Sequence, residues 1–199
     1  MKDITNEEKG CAKINLALHV TGIQADGYHA LDSIVVFTDV FDRLFFKRSL
    51  KNVVTLTGEF SGSINVQENS ILQALKLFGN GLTDRFAINL EKNLPIGAGL
   101  GGGSADAAAV IRFITNNSKH LMPSYEVLSK IGADIPACVL SVASRVGGIG
   151  EIVRPLDMSE INLWVVLVNP DIFVSTGSIF EEVTEKYSQP LESFIDLSS

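Results

Sequence analysis

The order of local patterns along the chain predicts an α+β fold: a strand-rich first half, a helical middle and a return to strands. Residues 12–57 hold alternating, β-branched and aromatic runs. Residues 70–78 and 104–115 instead carry helical spacing with capping and stop residues at their ends. With 199 residues, 46% of them hydrophobic, the chain can bury a real core, which excludes wholesale disorder.

Taken in order, Ala12–Val20 reads as a strand with Ile14, Leu16 and Leu18 on one face. An Asp26-Gly27 turn leads to further strands over Ile34–Phe46 and Val53–Thr57. Ser70–Phe78 fits a helix, with Asn69 at its N-cap and Gly79 at its stop. Arg85–Leu90 reads as a strand and Glu91 to Gly103 as a loop. The next helix runs from about Ser104 to Thr115, where Ala105 and Ala107 to Ala109 permit close packing. Pro123-Ser124 opens a short helix that Gly132 closes. Arg145–Val153 and Leu163–Asn169 read as strands and Ser178–Tyr187 as a helix. The change of texture from Ser144 suggests a boundary near residue 150, separating residues 1–150 from a smaller unit, 151–199.

The net charge of −7 falls entirely on that smaller unit, where two basic residues stand against nine acidic ones. No basic run appears, so a nucleic-acid partner is not expected. No apolar stretch reaches the roughly 18 residues of a membrane helix, and the charged start is unlike a secretory signal. Cys11 and Cys138 lie far apart, outside any CxxC spacing, as reduced cytoplasmic thiols would.

The most informative segment is Pro95-Ile-Gly-Ala-Gly-Leu-Gly-Gly-Gly-Ser104, with five glycines among the seven residues 97–103. Glycine is needed where φ is positive or where a ligand must touch the backbone. A helix follows at once, so its free N–H groups and positive dipole end face the loop, the arrangement that binds phosphate. Gly97-x-Gly99-x-x-Gly102 imitates a dinucleotide fingerprint. It lacks the surrounding βαβ unit and the acidic residue about 20 positions on, and no Gly-Lys-Ser/Thr ending makes it a P-loop. A tight turn without a ligand is the plain alternative, but five clustered glycines are entropically costly for a turn alone.

Pro-x-Gly-x-Gly-Leu-Gly-Gly-Gly-Ser-x-Asp-Ala-Ala resembles the phosphate loop of the GHMP kinases. Two further segments resemble the same family: Ala12-Lys13-Ile14-Asn15-Leu16 and Gly132-Ala133-Asp134-Ile135-Pro136. The resemblance implies a two-domain GHMP kinase fold with a ribosomal protein S5 domain 2-like N-terminal domain. It implies that Pro95, Gly97, Ala98, Gly99, Leu100, Gly101, Gly102, Gly103 and Ser104 wrap the ATP phosphates, Ser104 at the β/γ end, with Asn69 and Lys92 as further ATP contacts. Lys13 and Asp134 become the catalytic pair, and Asn15 a substrate contact. Without the shared motif, Lys13 reads as an exposed strand residue and Asp134 as a helix cap. Ala105 stands where the family has a second serine, and Cys11 where it has proline.

Asp26-Gly27-Tyr28-His29-x-Leu31 resembles the branch whose substrate is a cytidine diphosphate ester. There Tyr28 would stack on cytosine, His29 would bond its edge, and Phe180, with Thr176, would close the sandwich over Tyr28. His19 reads as a packed histidine and His120 as a surface one. The implied reaction is ATP-dependent phosphorylation of the 2-hydroxyl of 4-diphosphocytidyl-2-C-methyl-D-erythritol, in the non-mevalonate route to isoprenoid precursors. Partners are then ATP and that small molecule, with no nucleic acid and no membrane, in a monomer or homodimer. Magnesium is expected with ATP, though no carboxylate cluster announces a metal site. The family continues to a third glycine-rich motif that has no counterpart after Tyr187, so the C-terminal domain reads as truncated. That leaves two alternatives open: another GHMP kinase, or a nucleotide-binding remnant without turnover.

Overall fold

The structure, a computed structural model, describes residues 7–25, 27–63, 70–79, 84–169, 176–183 and 187–192. Two long strands form its frame. β1 (Glu7–Ile23) and β2 (His29–Ser49) pair antiparallel from Glu7↔Phe45 to Ile23↔His29. The opposite edge of β2 is shared by two partners. Its Arg43–Ser49 end takes β4 (Arg85–Glu91), and its Leu31–Val35 start takes β5 (Ser144–Gly148). β3 (Val53–Thr57) lies parallel to β4, and β6 (Ile152–Pro155) closes the other end antiparallel to β5. The sheet order is β3-β4-β2-β5-β6, with β1 along β2.

Between the parallel strands β3 and β4 runs helix α1 (Ser70–Leu77), stopped at Gly79, whose φ of 50° is cheap only for glycine. The remaining helices are α2 (Gly102–Asn117), α3 (Tyr125–Ser129), α4 (Ile135–Leu140) and α5 (Thr176–Glu181). None of the described helices is long and apolar enough to cross a membrane.

The α+β class holds, with four departures in detail. α4 adds a helix beyond the segments read above, starting beside Asp134, whose plain reading is a helix cap; Pro136 sits in its first turn, where a missing N–H costs nothing. The single strand expected over Arg145–Val153 is a hairpin, β5 and β6, turning through Gly148 and Gly150 at positive φ. Leu163–Asn169 joins no ladder among the described residues. Its even positions, Trp164, Val166 and Val168, stand in solvent while Leu163, Val165 and Leu167 are about half exposed. Finally, Leu16 and Leu18, read on one face with Ile14, are exposed while Ile14 is partly buried. Register shifts between Cys11 and Lys13 and between Asn15 and Ala17 break the alternation on which that expectation rested.

The core is organised around α2. From Ala105 to Ile111 the helix is buried on every side, enclosed by the sheet, α1 and α4. Alanine is the residue that allows all three to approach. Phe113 lies against Phe46, ring centroids 3.8 Å apart and nearly parallel, with Phe86 edge-on at 5.3 Å. β1 comes closest at Gly10, where an added Cβ would lie 2.8 Å from Asp106 Oδ1 and 3.2 Å from the Ala105 carbonyl carbon. Gly10→Ala is therefore expected to destabilise the fold by about 1–3 kcal/mol. The measurement is a lowered urea midpoint at unchanged slope; a midpoint equal to the parent's would refute the close packing.

Candidate active site

Three of the loop glycines have the conformation that requires them: Gly97, Gly99 and Gly101 lie at φ of 69°, 73° and 65°. Gly101 is the N-cap of α2 and brings no side-chain cap, so N–H groups of the first helical turn remain directed into the loop. Three elements pin the loop. The Lys13 N–H donates to the Leu100 carbonyl at 2.9 Å, and the Ser70 hydroxyl donates to the Gly103 carbonyl at 2.7 Å. Behind Gly102, Lys92 Nζ would lie 3.0 Å from an added Cβ.

Lys92, expected among the ATP contacts, is buried beneath the loop. Its ammonium bonds both Asp42 and, at 3.0 Å, Asp106, and all three side chains are almost wholly enclosed. Asp42 Oδ1 also accepts the N–H groups of Asn93 and Leu94, at 2.6 and 2.8 Å, fixing the entry to the loop. Burial works against the Lys92 charge, but the carboxylates of Asp106 and Asp42 outweigh it and hold the lysine above its usual range. Burial likewise lifts the Asp106 carboxyl, to about 7, helped by Asp42 and opposed by Lys92. Asp106 Oδ1 has no hydrogen-bond partner.

On the open side, Lys13 and Asp134 meet at the loop. Lys13 Nζ lies 3.0 Å from Asp134 Oδ1 and 3.2 Å from Asn15 Oδ1, with the lysine buried and the aspartate partly open. Asp134 occupies the N-cap position of α4 but makes no capping bond. Its carboxylate is turned instead toward Lys13, and Oδ2 would lie 3.5 Å from a Cβ on Gly101. Ser104 Oγ faces the same segment, 3.4 Å from the corresponding point on Gly132. The structure thus brings Lys13, Asn15, Asp134, Ser104 and the glycines together.

The residues expected at the base lie along β2 and α5. Tyr28 is largely exposed. Phe180, expected over Tyr28, meets His29 instead, ring centroids 5.3 Å apart and tilted by 31°. The His29 Nε2 is 3.2 Å from the Val183 carbonyl. These contacts seat α5 on the start of β2, so the aromatic pair that forms is His29–Phe180. Thr176 begins α5; its side chain, Asn69 and Asp26 lie outside the described residues. His19 packs as expected, its Nδ1 2.7 Å from the Gln189 carbonyl. His120, read as a surface residue, is half buried with its ring edge-on to Phe78.

Asp42, Asp106, Ser33 and Ser70 escaped the sequence reading. A signal existed for the first: Asp42 shares the period-two face of Leu44 and Phe46, where a charge must find a buried partner.

With this geometry in place, the comparisons with known proteins are specific. Residues 69–149 match the family model of the GHMP kinases N terminal domain. Over those residues the chain is similar to the N-terminal domain of that family. Among curated proteins it is similar to the 4-diphosphocytidyl-2-C-methyl-D-erythritol kinase of Cereibacter sphaeroides (strain ATCC 17025 / ATH 2.4.3), 39% identical over 181 residues, covering 90% of this chain and 64% of that one. The same-named enzyme of Rhizobium johnstonii is 42% identical over 193 residues, covering 92% and 63%. A crystal structure of 4-(cytidine 5'-diphospho)-2C-methyl-D-erythritol kinase superposes with a TM-score of 0.71 at 27% identity, covering 94% of this chain and 68% of that one. The chain spans less than two thirds of the length of the curated relatives it matches.

Two variants test the buried ion cluster. Lys92→Met leaves two carboxylates facing each other in the core and is expected to cost about 3–5 kcal/mol, read by urea denaturation. Asp106→Asn acts through linkage. A carboxyl whose folded pKa is raised from 3.8 to about 7 contributes stability that is present at low pH and lost as pH climbs toward 7. The variant's melting temperature relative to the parent is therefore expected to rise between pH 5 and pH 8. A difference that does not change with pH would show that Asp106 is ionised throughout.

Proposed function

We propose that this chain is the nucleotide- and substrate-binding part of an ATP-dependent kinase that phosphorylates the 2-hydroxyl of 4-diphosphocytidyl-2-C-methyl-D-erythritol, a precursor in isoprenoid biosynthesis by the non-mevalonate route. The observation that carries this reading is the Lys13–Asp134 pair, 3.0 Å apart, set against Gly101 of the phosphate loop. In this reading the loop N–H groups and the α2 N-terminus hold the ATP phosphates. Asp134 accepts the proton of the substrate hydroxyl as its oxygen bonds to the γ-phosphorus and the bond to ADP breaks. Lys13 keeps Asp134 ionised and offsets charge on the reacting oxygens. Asn15 orients the alcohol, and Tyr28, His29, Thr176 and Phe180 form the cytidine side.

Residues 1–150 would form the nucleotide domain and residues 151–199 part of a second one, in a cytoplasmic protein. The described residues gather no three side chains able to hold a metal. Magnesium, expected with ATP, would therefore be held chiefly by phosphate oxygens. The second reading is a nucleotide-binding chain without turnover.

The test is ADP release with ATP and the cytidyl substrate, beside homoserine and mevalonate. Turnover confined to the cytidyl substrate, with kcat reduced about 10²–10⁴-fold by Asp134→Ala, is the expected result. Binding of both ligands without ADP release would favour the second reading. Absence of binding to either would end both.

A further inference from the structure

Where β1 slips against β2, Asn15 faces Val35 and Ala17 faces Ile34, leaving Leu16 without an opposite residue. Ser33 lies at this slip, on β2 opposite Leu18, and is only 2% exposed. Its Oγ is 2.7 Å from the Ala17 carbonyl and 3.0 Å from Asn15 Oδ1. The same Oδ1 is 3.2 Å from Lys13 Nζ.

Donor chemistry fixes the rest. An ammonium can only donate, so the Asn15 atom facing Lys13 must be its oxygen. Ser33 has one hydroxyl proton, which it shares between the Ala17 carbonyl and that oxygen. With Oδ1 held from two sides, the amide cannot turn over. Its Nδ2 group diverges from Oδ1 across the planar amide of an exposed residue, with two N–H donors that no acceptor among the described residues engages.

We propose that Ser33 is a positioning residue: it locks the Asn15 amide so that Nδ2 donates to an oxygen of the alcohol substrate next to Lys13 and Asp134. An amide nitrogen cannot accept a proton, so Asn15 aims the polyol while Asp134 takes its hydroxyl proton. A substrate lacking an acceptor oxygen at that point forgoes this bond. This inference rests on the kinase reading above and deepens it.

Two measurements separate the failure of one from the failure of the other. The first needs no turnover. The Asn15 side-chain amide resonances, assigned by their loss in Asn15→Asp, are expected to be rigid and well dispersed in the parent and in Ser33→Thr. In Ser33→Ala they are expected to collapse toward mobile values. The second is kinetic: Ser33→Ala is expected to raise the substrate KM about fivefold or more, for a hydrogen bond of ordinary strength. The ATP KM should stay within about twofold, and Ser33→Thr should restore the parent value. Should Ser33→Ala fail to fold, Ser33→Cys, a similar size with a weak donor, is read the same way. Unchanged Asn15 resonances, or equal rises in both KM values beside a lowered melting temperature, would overturn the proposal. Absence of turnover in the parent counts against the kinase reading, while the resonances still decide the role of Ser33.

Discussion

The buried ion cluster of Lys92, Asp42 and Asp106 is the constraint on which the site depends. Its members come from the loop entry, β2 and the first turns of α2, so one ammonium ties together three separately folded pieces. Burying such a set gains little net stability, because desolvation offsets most of the attraction. What it adds is uniqueness. Any other placement of the loop would leave a charge unpaired in the core. Asp42 extends the tie by accepting the next two backbone N–H groups, and Gly10 and Gly102 are glycine because the cluster leaves no room for a side chain. A glycine-rich loop, inherently loose, is thereby held at both ends.

Above the cluster the polar groups divide the work by what each can donate or accept. Lys13 is a donor only, and it engages Asp134 and Asn15 at once. Asp134 gives up the capping role its position offers and keeps one oxygen toward the loop. The small residues at the start of α2 let the sheet approach closely enough for β1 to hydrogen-bond the loop at Leu100. Packing and chemistry are set by the same choice of alanine and glycine.

Much of the fold could be read from local pattern, because capped helices and alternating strands carry their own signals. The glycine-rich loop could be read for the same reason, since positive φ at Gly97, Gly99 and Gly101 demands glycine. The Lys13–Asp134 meeting could not be derived that way. It joins residues far apart in the chain, and only family likeness suggested it. The pairing of Lys92 is not legible in the sequence, because a lysine beside a glycine-rich loop suits a ligand contact as well as a brace, and only the fold brings Asp42 and Asp106 to it. Ser33 was invisible, since its role arises from a slip in strand register that no spacing rule reports. The hairpin of β5 and β6 reads as one strand because its turn at Gly148 and Gly150 is set among the β-branched Val146, Ile149 and Ile152.

The extended run from Leu163 to Val168 has an optical consequence. Trp164 is the chain's single tryptophan, and its indole stands exposed on an apolar ribbon that no strand among the described residues pairs. Its emission is expected to be that of a hydrated indole, uncontaminated by any second tryptophan. Whatever is laid over the ribbon, further polypeptide or a second copy of the chain, removes that water and shifts the light toward the blue. The molecule therefore reports without a label whether its apolar ribbon is bare or covered.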